Sequence, residues 1–60
     1  MMEIDIDLEG IDLNVFYEIN TLGINILFID HNATEISKYL NYWAVSEIRY
    51  LIWEKLEKMK

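Results

Sequence analysis

Asp5, Asp7 and Glu9, followed at once by Gly10, share the spacing of the opening of an EF-hand calcium loop, in which alternate carboxylates and a glycine wrap a hard cation. The pattern then stops. Phe16 stands where a bidentate glutamate is needed, Asp12 occupies the usual apolar eighth position, and no helical sequence flanks the segment. No metal site is expected. His31 is the only histidine, and it is expected near Asp12 across a sheet as a surface ion pair rather than as a ligand or base. Thr21, Thr34, Ser37 and Ser46 have no adjacent base or Gly-rich elbow to activate them. The two glycines both fall in expected turns, which leaves none for a phosphate-binding loop. With no cysteine, thiol chemistry and disulfides are excluded. Sixty residues can barely form a pocket, so neither catalysis nor a cofactor is expected.

The carboxylates have a different logic. Glu3, Asp5, Asp7, Glu9 and Asp12 alternate with Ile4, Ile6, Leu8, Ile11 and Leu13. A period of two puts the acids on one face of a β-hairpin and the aliphatics on the other. No lysine or arginine occurs before Lys38, and eight acidic residues precede it. From Lys38 onward five basic residues stand against three acidic ones, and the rhythm becomes helical. The chain therefore divides into a strand half near −8 and a helical half near +2, which sum to −6. A face of one sign focuses its field and selects partners of the opposite sign.

The elements that must carry these residues can be placed from turn chemistry and periodicity. One strand is expected from Glu3 to Glu9 and a second from Ile11 to Ile19, joined by a Glu9-Gly10 turn that pairs Leu8 with Ile11, Ile6 with Leu13 and Ile4 with Val15. Asn20-Thr21-Leu22-Gly23 reads as the next turn, leading into a third strand from Ile24 to Asp30. Pairing Ile19 with Ile24 then sets Tyr17 against Ile26 and Val15 against Phe28 on the core face. Beyond His31, Asn32 or Thr34 is expected to cap a helical turn through Leu40, Asn32 and Glu35 having capping-box spacing. Asn41 is placed to cap a second, longer helix reaching Lys58, with one continuous helix as the alternative. Val45, Ile48, Ile52, Leu56 and Met59 form its core stripe. The expected fold class is α+β: one 60-residue domain, a three-stranded antiparallel meander with a C-terminal helix packed on one face.

Three surfaces could carry function. Opposite the core, the hairpin presents Glu3, Asp5, Asp7, Glu9, Asp12 and Glu18, with Asn14 among them. Same-strand acids recur about every 6.8 Å and the next strand lies about 4.8 Å away, a density of the order of a nucleic-acid backbone. This comb either imitates phosphates or serves as a solvated face that keeps strand edges from aggregating. On the same face Phe16 is expected opposite Leu27 with Ile29 diagonal to it, an apolar patch for a partner unless the C-terminal segment covers it. Along the helix, Tyr42, Trp43, Tyr50 and Trp53 with Ser46 span an arc beside the core stripe. Slightly over half the residues are apolar and eight are aromatic, more than so small a core can hide. A homodimer through these aromatics, or a partner-binding surface, or one patch serving both in turn is therefore expected, with Tyr42 and Trp53 completing the core as the alternative for those two.

An acidic meander, a Glu-Gly turn, the third-strand segment "ILFIDHNATEISKYL" and the final "NYWAVSEIRYLIWEKLEK" together resemble many very short phage proteins, among them anti-CRISPR proteins and inhibitors of restriction enzymes or of uracil-DNA glycosylase. The resemblance spans nearly the whole chain, is one of overall pattern, and carries over no individual residue. It implies a non-enzymatic inhibitor that binds a basic, nucleic-acid-handling host protein through its acidic face. The alternatives are a structural homodimer or an antitoxin-like neutraliser of a basic toxin. Direct nucleic-acid binding is disfavoured by the charge of −6. Met1-Met2-Glu3 leads straight into alternating acids, and no apolar run approaches the roughly 18 residues of a membrane span. The cytoplasm of the producing or infected cell is the expected location, with no membrane partner.

Overall fold

A computed structural model describes residues 1–59. Four strands form one antiparallel sheet in the order β1-β2-β3-β4: β1 (Met2–Leu8), β2 (Ile11–Asn20), β3 (Gly23–His31) and β4 (Thr34–Glu35). A 3-10 turn (Ser37–Tyr39) leads to one α-helix, α1 (Tyr42–Lys58). The α+β class and the terminal helix match the sequence. The short fourth strand is an addition to the expected three-stranded meander.

The first hairpin has the expected register, with Ile4 opposite Val15, Ile6 opposite Leu13 and Asp7 opposite Asp12. Glu9 and Gly10 both take positive φ, 52° and 86°, as a type I′ turn requires. Gly10 can do so without a steric cost, and its N–H donates to Asp7 Oδ1 at 2.8 Å. The second hairpin starts as expected, pairing Ile19 with Ile24 and Tyr17 with Ile26. Leu22 N–H donates to Asn20 Oδ1 at 2.9 Å and closes its turn. A bulge then leaves Leu27 unpaired, so that Phe16 faces Phe28, Val15 faces Ile29 and Asn14 faces Asp30. This corrects the expected pairs of Val15 with Phe28 and Phe16 with Leu27. An unbroken register would turn Asp30 into the core and Ile29 outward; one extra residue reverses both. Burying an unpaired carboxylate costs several kcal/mol, which decides for the bulge.

The segment after His31 is also corrected. Asn32 and Ala33 take φ of 52° and 65°, a tight turn that returns the chain so that Thr34 and Glu35 pair with His31 and Asp30. Asn tolerates the left-handed region, so Asn32 serves as a turn residue and not as a helix cap. Asn41 is the cap: its Oδ1 accepts from Ala44 N–H at 2.8 Å, and α1 runs unbroken to Lys58.

The core lies between α1 and one sheet face. Ile6, Leu13, Val15, Tyr17, Ile24 and Ile29 meet Ile48 and Ile52 there, with Ile4, Leu8, Ile26, Ile36, Leu40, Leu51 and Leu56 packed around them. The predicted stripe holds at the buried Ile48 and Ile52 and at Leu56, which is half-buried against the core, whereas Val45 is half-buried outside that cluster and Met59 is exposed. Leu51 takes a place that the stripe omitted.

Candidate functional site: the outer sheet face

The sheet face away from α1 carries the side chains of Glu3, Asp5 and Asp7 from β1, Asp12, Asn14, Phe16 and Glu18 from β2, and Asn25, Phe28 and Asp30 from β3. Glu35 of β4 stands opposite Asp30. Alternation and the observed pairing fix this set. Glu9 sits at the tip of the first turn, exposed. All six predicted acidic residues are therefore exposed on one end or face of the sheet; the bulge adds a half-buried Asp30 and the β4 return an exposed Glu35.

Phe16 and Phe28 form the apolar centre of this face. Their rings are stacked at 4.5 Å between centroids and 22° between planes, and both are half-buried. The predicted apolar patch is thus corrected. Phe16 belongs to it, Leu27 sits on the bulge at 39% exposure, and Ile29 is a core residue at 1% exposure. Phe28 was missed because strict alternation assigned it to the core. The signal was present in the run Ile26-Leu27-Phe28-Ile29, four apolar residues that cannot satisfy a period of two without an irregularity.

Polar contacts on this face are sparse and mostly between neighbours. Asn14 Nδ2 donates to Glu3 Oε2 at 2.6 Å, whereas its buried Oδ1 has no hydrogen-bond partner. Asn25 Nδ2 reaches Glu18 Oε1 at 3.5 Å. His31 Nδ1 lies 3.0 Å from the backbone oxygen of Asp12, so the predicted proximity holds through the main chain, not through the carboxylate. Among the described residues, no three histidine or acidic side chains are gathered to hold a metal ion. Asp7, the centre of the calcium-loop resemblance, is committed to its own turn.

The aromatic flank of α1 is far from this face and open to solvent. Trp43 is 77% and Trp53 54% exposed, and Tyr42 and Tyr50 are exposed with them. Tyr42 and Trp43 pack edge to face at 5.3 Å. Tyr42 and Trp53 do not complete the core. Instead Tyr50 and Trp53 join Ser46 and Arg49 on one wall of a groove of about 680 Å³ whose other wall is Ile19, Leu22 and Ile24 at the second hairpin. Arg49 Nε donates to Ile24 O at 3.1 Å and ties the walls together. Glu54 accepts a hydrogen bond from the Tyr50 hydroxyl, and with its charge holds the phenol above its ordinary range. Among the described residues, no helix is long and apolar enough to cross a membrane.

No family model matches the sequence, and neither a curated protein nor a solved structure is found to match it.

Proposed function

We propose that this protein is a non-enzymatic inhibitor that docks its outer sheet face onto the basic, nucleic-acid-binding surface of another protein. The observation that carries this reading is a single sheet face holding Glu3, Asp5, Asp7, Asp12, Glu18 and Asp30 around the stacked Phe16 and Phe28. Carboxylates at strand spacing stand in for phosphates and steer encounter with a basic groove, and the ring pair supplies a desolvated contact at the centre. An acidic comb kept only for solubility would not need an aromatic pair in its middle. The pattern the sequence shares with very short phage inhibitors gives the same reading.

The test is capture of partners from host lysate at low and high salt, with the Asp5→Asn, Asp7→Asn, Asp12→Asn triple variant as control. The expected result is a nucleic-acid-binding enzyme retained at low salt, lost with the variant, and inhibited in competition with its nucleic acid. The variant should fold. The Asp7→Asn change keeps a side-chain oxygen able to accept from Gly10 N–H, and removing the like-charge pair Asp7–Asp12 should add about 0.2–1 kcal/mol to stability. Unchanged inhibition by the variant would overturn the proposal. Self-association is the second reading, favoured by the exposed Trp43, Trp53 and Tyr50 beside an apolar groove.

A further inference from the structure

β1 is the end strand of the sheet, and among the described residues no strand lies on its far side. The two-residue turn makes Leu8 and Ile11 a hydrogen-bonded pair, so the phase of the ladder directs the backbone groups of Met2, Ile4, Ile6 and Leu8 toward β2. The N–H and C=O of Glu3, Asp5 and Asp7 therefore point outward along the open edge. Lys55 Nζ reports this phase directly by donating to Asp5 O at 2.7 Å. The opposite edge is covered along residues 29–31 and at Ile24, where Arg49 Nε donates to the backbone oxygen. β4 pairs with Asp30 and His31, Ile36 N–H donates to Ile29 O at 2.8 Å, and Ser37 Oγ accepts from Ile29 N–H at 2.7 Å.

On β1 the residues with outward backbone groups are the same ones whose carboxylates stand on the outer face. A strand laid along this edge must place its own side chains directly opposite Glu3, Asp5 and Asp7. A second copy of β1 is excluded by charge, since acids would oppose acids at each of these positions. A segment with lysine or arginine at alternate positions meets each carboxylate with a cation. Its intervening residues turn to the helix side, where Ile6, Leu51, Glu54, Lys55 and Lys58 line a hollow of about 300 Å³ beside Asp5 and Asp7. Small apolar residues suit those positions, because Ile6 and Leu51 stand there at the margin of the core and the charges around them, Glu54 with Lys55 and Lys58, are of both signs.

We propose that β1 binds an extended basic segment of a partner protein as a fifth strand, and that Lys55 Nζ leaves Asp5 O when the incoming backbone N–H takes its place. This deepens the proposed function and rests on its acidic-face reading. Main-chain hydrogen bonds provide the attachment and the alternating charges provide the choice of sequence.

The probe is a synthetic peptide of alternating lysine and valine, compared with the same peptide N-methylated on the backbone at its lysines. N-methylation keeps every charge and removes the donors the edge requires. Binding followed by NMR should slow amide exchange at Glu3, Asp5 and Asp7, leaving Ile4 and Ile6 little changed. The methylated peptide should bind about tenfold more weakly or worse. Lys55→Ala should bind the unmodified peptide a few fold more tightly, since a competing donor and a like charge are gone. Equal binding of both peptides, with shifts spread over Asp12, Phe16 and Asp30, would overturn edge addition and leave the acidic-face reading standing. Binding that ignores the triple Asp→Asn substitution would overturn both. Protection of the same three amides without peptide, in a species of doubled mass, would identify a second copy as the occupant and overturn the proposal.

Discussion

Tyr50 and Glu54 lie one helical turn apart on α1, close enough for the carboxylate to accept the phenol's hydrogen bond. Ionising Tyr50 would break that bond and set two anions side by side, so its titration is displaced upward, above the ordinary value near 10. The sign follows. The pair contributes to stability below that ordinary value, and the contribution is lost as pH rises through the displaced midpoint. Glu54→Gln should bring the Tyr50 midpoint back toward about 10, read from the ring resonances of Tyr50 across an alkaline titration. An unmoved midpoint would show that Glu54 is not the cause. Such pairs are legible in sequence only as a spacing, because nothing in a linear chain says whether two exposed side chains meet. The outer face shows the same limit. Asp5, Asp7 and Asp12 were legible because β1 and the first turn obey a strict period, whereas Phe28 and Ile29 exchanged roles through one unpaired residue, Leu27.

At the scale of elements, the bulge and the β4 return are a single solution to closing the sheet. The bulge turns Ile29 into the core and Asp30 outward, and the Asn32-Ala33 turn then lays Thr34 and Glu35 beside them. Ser37, at the start of the 3-10 turn, completes the edge by accepting the N–H of Ile29, which β4 is too short to reach. Ser37→Ala leaves that donor without its partner and should cost about 1–3 kcal/mol, measured by urea unfolding. Faster amide exchange at Ile29 should accompany the loss. A variant as stable as the parent would mean that water or a shifted backbone replaces the hydroxyl. None of this was readable beforehand, because the stretch Asn32–Leu40 carries both a capping-box spacing and a turn pair. Local propensity favoured the helix; pairing with β3 decided for the strand. The end of α1 near Lys58 was readable, and its start was one of two arrangements the sequence allowed; the cap that Asn41 Oδ1 makes with Ala44 N–H decides for a start at Tyr42.

For the molecule as a whole, the constraint is how little interior sixty residues provide. At about 0.05–0.15 kcal/mol per residue, such a domain holds roughly 3–9 kcal/mol against unfolding. Yet Trp43, Trp53, Tyr42 and Tyr50 remain in solvent, and Ile19 and Leu22 stand exposed across the groove from Tyr50 and Trp53. Covering these side chains between two copies would add burial without touching the acidic face, so dimerisation by α1 and inhibition by the sheet are compatible in one molecule. Binding that favours the folded state raises its melting temperature with concentration. The melting temperature of the parent should therefore fall steadily across a hundredfold dilution series, by the mass action of about RT ln of the concentration ratio. Trp43→Ala with Trp53→Ala should flatten that dependence and lower the sedimenting mass to that of one chain. The triple Asp→Asn variant should leave both unchanged, or strengthen association slightly by easing the repulsion between two chains of charge −6. A parent that melts at one temperature throughout the series, and sediments as a single chain at the highest concentration, would leave the aromatic flank without a second copy to cover it.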